Sequence, residues 1–112
     1  MSGPDAAIAG PALIWCPFPD EDSAILAINS LLDERLVACA NIMPGMLSLF
    51  SWNGERAEAR ETGVLLKTNA ALLDQAMARL AALHPYDQPT VVGWLVDAAT
   101  PDTAAWLGAL RP

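Results

Sequence analysis

Hydrophobic and polar positions change period several times along the chain, and each change marks an element. Ala12-Leu13-Ile14-Trp15-Cys16 is a short unbroken apolar run stopped by Pro17 and Pro19. Its length and flanks predict a buried central strand rather than a helix. Asp20-Glu21-Asp22-Ser23 then supplies acids and capping side chains, and Ala24, Ile28, Leu31, Leu32 and Leu36 follow at helical spacing. This predicts an amphipathic helix from about Glu21 to Arg35. Val37 to Trp52 is strand-like, interrupted by Pro44-Gly45. Asn53-Gly54 is a strong hairpin signal, because a type I′ turn needs positive φ at both central residues. Val64 to Thr68 reads as the return strand. Asn69 can cap a second helix with Leu72, Leu73, Ala76, Leu80 and Leu83 on one face, ended by His84-Pro85. Thr90 to Val96 predicts a fourth strand. Thr100-Pro101-Asp102 opens a short final helix expected to bury Trp106 and Leu110.

The predicted order is strand, helix, strand, strand, helix, strand, with an added C-terminal helix. Two right-handed strand–helix–strand units sharing a hairpin give an α+β, ferredoxin-like antiparallel sheet with helices on one face. Met1 to Gly10 reads as a disordered or loosely held tail, and residues 11–112 as one domain. The hairpin is apolar on both faces, Leu47 and Leu49 alternating with Phe50 and Trp52. If Ala38 to Trp52 is extended throughout, it spans ~50 Å at roughly 3.3 Å per residue. A domain of this size is only about 35 Å across. The hairpin is therefore expected to overhang its own domain and meet a neighbour, unless Pro44-Gly45 bends it back.

Composition narrows the partners. The 112 residues are 54% hydrophobic and 17% charged, which excludes a largely disordered chain. Thirteen acids against six bases give a formal net charge of −7. The only lysine is Lys67, so nucleic acid and anionic membrane surfaces are excluded as partners, while cations are favoured. Two cysteines make no disulfide framework. Without a secretory signal or a membrane-length apolar run, a cytoplasmic protein is expected. A Gly-rich phosphate loop, paired catalytic carboxylates and a Cys-x-x-Cys motif are likewise missing from the sequence.

Several segments together carry a resemblance. Asp33 to Gly45, containing Glu34-Arg35-Leu36-Val37-Ala38-Cys39-Ala40-Asn41-Ile42, resembles the ERLAACVNI-x-PG block of the CutA1 family, the divalent-cation tolerance proteins. Ser48 to Gly54 is similar to that family's SIY-x-W-x-G hairpin, and Val64 to Thr68 to its VLLIIKT strand. His84-Pro85-Tyr86-Asp87-Gln88-Pro89 resembles its HPYE-x-P turn, and Trp106 falls in its YLDWI segment. The blocks occur in order over roughly residues 12–110. The resemblance implies a PII-like protomer, a homotrimer joined through long hairpins, and tolerance of copper and other divalent metals without an established catalytic reaction.

It also implies a Cu(II) site built from a thiol, an imidazole and a carboxylate. Cys16 and the single histidine, His84, match the first two, and both are competent soft-to-borderline ligands. The family's carboxylate position is Thr90 here, so Asp87 or a neighbouring subunit would have to substitute. The alternatives are a buried structural thiol for Cys16 and a helix-terminal imidazole for His84. Cys39 reads as core, and Glu55, Glu58 and Glu61 as a solvated acidic face. A Cys16–His84 nucleophile pair lacks a recognisable orienting group. Trp52, Phe50, Leu49 and Tyr86 are expected at the oligomer interface, since aromatic residues are enriched there. The expected function is a homotrimeric, non-enzymatic divalent-metal tolerance protein. The alternative is a PII-like signalling or interaction module with ligands or partners in intersubunit clefts, lined by the hairpin and the His84–Pro89 turn.

Overall fold

A computed structural model describes residues 9–112. The loose tail expected over residues 1–10 lies outside the described residues as far as residue 8. Residues 9 and 10 are held: Ala70 N donates to Gly10 O at 2.8 Å and Ala9 N to Gly108 O at 3.4 Å. Among the described residues the elements are β1 (Pro11–Phe18), α1 (Glu21–Asp33), β2 (Cys39–Trp52), β3 (Glu55–Asn69), α2 (Leu73–Leu83), β4 (Val92–Leu95) and α3 (Pro101–Gly108). The sheet order is β2-β3-β1-β4 with antiparallel neighbours throughout. This is the ferredoxin-like arrangement that the element order predicts.

Strand alternation divides the sheet into a covered and an open face. Ala12, Ile14, Cys16 and Phe18 of β1 are fully buried, as are Val64, Leu66 and Thr68 opposite them on β3. They meet Ala24, Ala27, Ile28 and Leu31 of α1 and Ala76 and Leu80 of α2, which form the core. The opposite face carries Leu13, Trp15, Leu65, Met43, Val92 and Trp94. Trp94 and Val92 are nearly half exposed there. Trp15 lies over Gly63, where an added Cβ would come within 2.6 Å of its ring, so this glycine makes room for the indole.

Helix α1 starts on Asp20, whose carboxylate accepts from Ser23 N at 2.8 Å. It ends two residues before the expected Arg35. Arg35 takes φ 58°, with its N–H bonded to Leu32 O at 3.1 Å and that of Leu36 to Leu31 O at 3.0 Å. This is a Schellman ending with an arginine where glycine is usual. Asn69 does not cap α2 directly, because α2 begins at Leu73 after a turn. Asn69 is instead fully buried; its Oδ1 accepts from Leu72 N, and its Nδ2 donates to Leu107 O at 2.8 Å and Leu110 O at 3.1 Å. That anchors α3 to the end of β3. The expected burial of Trp106 is corrected: it is 51% exposed, and its neighbour Leu107 is the residue turned inward.

The turn at Asn53 and Gly54 has φ 52° and 79°, as type I′ requires. The return strand is far longer than Val64–Thr68, pairing with β2 from Glu55 onward. Between Met43, opposite Gly63, and Met46, opposite Glu61, β2 carries one extra residue, with Gly45 at φ 73°. This bulge shifts the alternation of β2 by one without ending the pairing. The arm therefore runs straight on, and the molecule measures 54 × 26 × 22 Å with a radius of gyration of 15.3 Å. A compact domain of this length has about 13 Å. Leu49 (65% exposed) and Trp52 (59%) stand on the projecting arm together with Leu47 and Phe50.

Candidate functional site

Strand β1 stops at Phe18, opposite Thr62, while β2 and β3 run on to the hairpin tip. The sheet thus narrows to two strands, leaving a notch beside β3 that the segment after α2 enters. Pro85 forces that exit, since the residue before proline disfavours helical geometry, and His84 is extended at φ −74°, ψ 142°.

His84 is 93% buried and bonded at both ring nitrogens. Tyr86 N–H donates to Nδ1 at 3.1 Å, which fixes the lone pair there. Nε2 therefore carries the proton and donates it to Pro17 O at 2.7 Å. The ring stacks on Phe18 with centroids 4.2 Å apart and lies 4.9 Å from the Tyr86 ring. Tyr86 in turn donates its hydroxyl to Glu61 Oε2 at 2.9 Å. Cys16 Sγ donates to the same Pro17 O at 3.7 Å. Burial, and secondly the Glu61 charge, push its pKa up to about 12.

The fold thus brings Cys16 and His84 to one carbonyl oxygen, with a proton on each facing it. A metal needs the opposite, a thiolate and a free imidazole lone pair. Asp87 is exposed, and among the described residues no three or more His, Cys, Asp and Glu side chains converge as a metal site. The expected set of Cys16, His84 and Asp87 does not fit an ion as folded. His84, through its Nε2 bond to Pro17 O, instead acts as a pin that fastens the end of β1 to the turn. Cys39, expected in the core, is half-buried on the open face, across from Lys67.

Beside the pin lies a cleft of about 580 Å³. The hairpin supplies Ser48, Phe50, Trp52, Ala59 and Glu61, and the turn supplies Tyr86, Gln88 and Thr90. Pro17 joins them at the rim. The hairpin register places these residues together, because from the turn back to the bulge the even-numbered side chains of β2 share a face with the odd-numbered ones of β3. Desolvation, the Glu61 bond and the charges of Glu61 and Asp20 push the Tyr86 hydroxyl up to about 12, so it remains a donor. Thr90, where the resembled family has its carboxylate, lines the cleft. Glu61 was read from sequence only as a solvated acid; counting pairs back from the Asn53-Gly54 turn locates it on the cleft face.

The model of the CutA1 divalent ion tolerance protein matches residues 12–109. The chain belongs to the CutA1 family. It is 37% identical over 95 residues to the divalent-cation tolerance protein CutA of Pyrococcus horikoshii, covering 85% of this chain and 92% of that one. With the corresponding protein of Pectobacterium atrosepticum it shares 32% over 105 residues, 94% and 96% of the two chains. The crystal structure of CutA from Xylella fastidiosa superposes with a TM-score of 0.84 at 35% identity, covering 88% of this chain and 95% of that one. The Thermus thermophilus CutA1 structure gives 0.83 at 33%, with the same coverage. The relatives are named for divalent-cation tolerance, not for a catalysed reaction.

Proposed function

We propose that the chain is a non-enzymatic divalent-metal tolerance protein that assembles as a homotrimer through its hairpin arms, with copper or another divalent ion as cargo. The projecting arm carries this reading. Leu47, Leu49, Phe50 and Trp52 are all at least 42% exposed on a two-stranded extension that its own domain does not cover. A single chain leaves that surface in water, whereas sister copies bury it. The net charge of −7 draws cations towards the assembly. Its two free thiols, Cys16 and Cys39, suit the reducing cytoplasm, where we place it.

Copper held by Cys16, His84 and Asp87 would have to displace Tyr86 N–H from His84 and remove a strongly held thiol proton. The expected result of anaerobic Cu(II) titration is therefore the same spectrum for the chain and its Cys16→Ala variant. A thiolate-to-copper charge-transfer band lost in the variant would restore the three-donor assignment. Light scattering on the same samples is expected to report three copies per particle, and a single-copy particle would remove the assembly.

A second reading, a PII-like module with a ligand in its clefts, is favoured by one observation. The cleft lies between the hairpin and the 84–90 turn, where such a module needs it, and falls within the ordinary range of ligand pockets.

A further inference from the structure

The four asparagines of the chain differ in what surrounds their carboxamides. Asn29 lies inside α1 and is followed by Ser30, and Asn41 lies in β2 ahead of the branched Ile42. Asn69 is fully buried with both ends of its amide engaged, by Leu72 N and by Leu107 O and Leu110 O. Asn53 alone is followed by glycine. It is exposed at the hairpin tip, and its side chain takes no hydrogen bond among the described residues. The Gly54 N–H is likewise unbonded, because the loop closes through Trp52 and Glu55 on either side of it.

The backbone of this turn is half-way to a ring closure. For the Gly54 nitrogen to reach the Asn53 side-chain carbon, Asn53 needs φ about 60° and ψ about −120°, the first central position of a type II′ turn. Asn53 already has φ 52°, a region few non-glycine residues enter. Only the peptide plane between residues 53 and 54 must rotate, taking the turn from the I′ to the II′ form. That carries Gly54 from φ 79° to a negative φ, which glycine accepts equally well. Both forms suit a two-residue hairpin, so Trp52 and Glu55 stay paired through the rotation.

We infer that Asn53 is a site of self-modification, its carboxamide being converted to a carboxylate at the tip of the arm. The Gly54 nitrogen bonds to Asn53 Cγ while its proton passes to the departing amide nitrogen, which leaves as ammonia. Water then opens the cyclic imide at one of its two carbonyls. Cleavage at Cγ leaves aspartate, which suits a type I′ turn as asparagine does. Cleavage at the main-chain carbonyl leaves isoaspartate, whose side-chain methylene now lies in the backbone. The lengthened loop no longer matches the register that sets Trp52 opposite Glu55. Either product places a new negative charge near Glu55. Every bond made or broken lies within the turn, and the only co-reactant is water. The inference goes beyond the function proposed above and does not rest on it.

To test this, the full folded chain is aged at 37 °C and pH 8 beside a sample unfolded in guanidinium chloride. Both are followed by isoelectric focusing and by peptide mapping with mass spectrometry. The folded chain is expected to gain one negative charge beyond its formal −7, mapped to residue 53. Its rate there is expected to lie within about tenfold of the unfolded chain's, since both turn forms are ordinary for a loop of this length. The isoaspartyl product is recognised as a second peptide of the same mass as the aspartyl one. Asn53→Gly keeps a pair suited to type I′ and is expected to show no such gain. A folded rate at residue 53 below that range, or an equal charge gain in Asn53→Gly, would overturn the inference.

Discussion

At the Cys16 thiol, the folded chain holds a proton up to a pKa of about 12, against an ordinary value of 9.0. Below pH 9 both folded and unfolded chains carry that proton, and its contribution to stability is fully present. Between the two values the unfolded chain releases it while the folded chain cannot, so stability falls as pH rises, by about 1.4 kcal/mol per pH unit. Urea unfolding from pH 8 to 11 is expected to show the wild type losing ground to Cys16→Ala on that slope. Parallel curves would mean that the thiol is less buried than described. The resemblance to the CutA1 family is what paired Cys16 with His84 from sequence, as the thiol and imidazole of an implied site. It did not reveal where their protons point. The deciding acceptor is a backbone oxygen, Pro17 O, which no side-chain pattern displays.

Element boundaries were legible where side chains force them and less so where the backbone chooses. Asp20, Pro85 and Asn53-Gly54 each mark an end through chemistry that can be read directly. Arg35 does not, because its left-handed φ of 58° is taken by a residue that usually avoids it. Replacing Arg35 by glycine is expected to raise stability by about 0.5–1 kcal/mol and the melting temperature by a few degrees. Calorimetry checks this, and an unchanged or lowered midpoint would show that the arginine side chain contributes more than its backbone costs. Helix α3 shows a second limit. Eight residues make two turns, too few for periodicity to choose between adjacent Trp106 and Leu107. The choice comes from outside the helix, where Asn69 holds Leu107 O and turns its side chain inward.

For the whole molecule, the overhanging arm was predictable by simple arithmetic: a strand of this length does not fit across a domain of this mass. The cleft was not, because it depends on where β1 stops and on how the 84–90 segment fills the vacated space. In the proposed trimer Trp52 meets a sister copy. Trp52→Asp would place a charge in that contact at a cost of several kcal/mol per copy. Light scattering is expected to show smaller particles at micromolar concentration, and an intact trimer would mean that the arms join elsewhere.

The added residue at Pro44-Gly45 has a consequence for descent as well as for shape. Upstream of it, odd positions of β2 share a side with Trp15 and Trp94; downstream, even positions do. Removing one residue there would take out the bulge yet leave Phe50 and Trp52 on the face they hold, because their partners Ala57 and Glu55 lie on the uninterrupted strand β3. A lineage can thus gain or lose a codon at this point while the aromatic and aliphatic walls of the ribbon keep their sides.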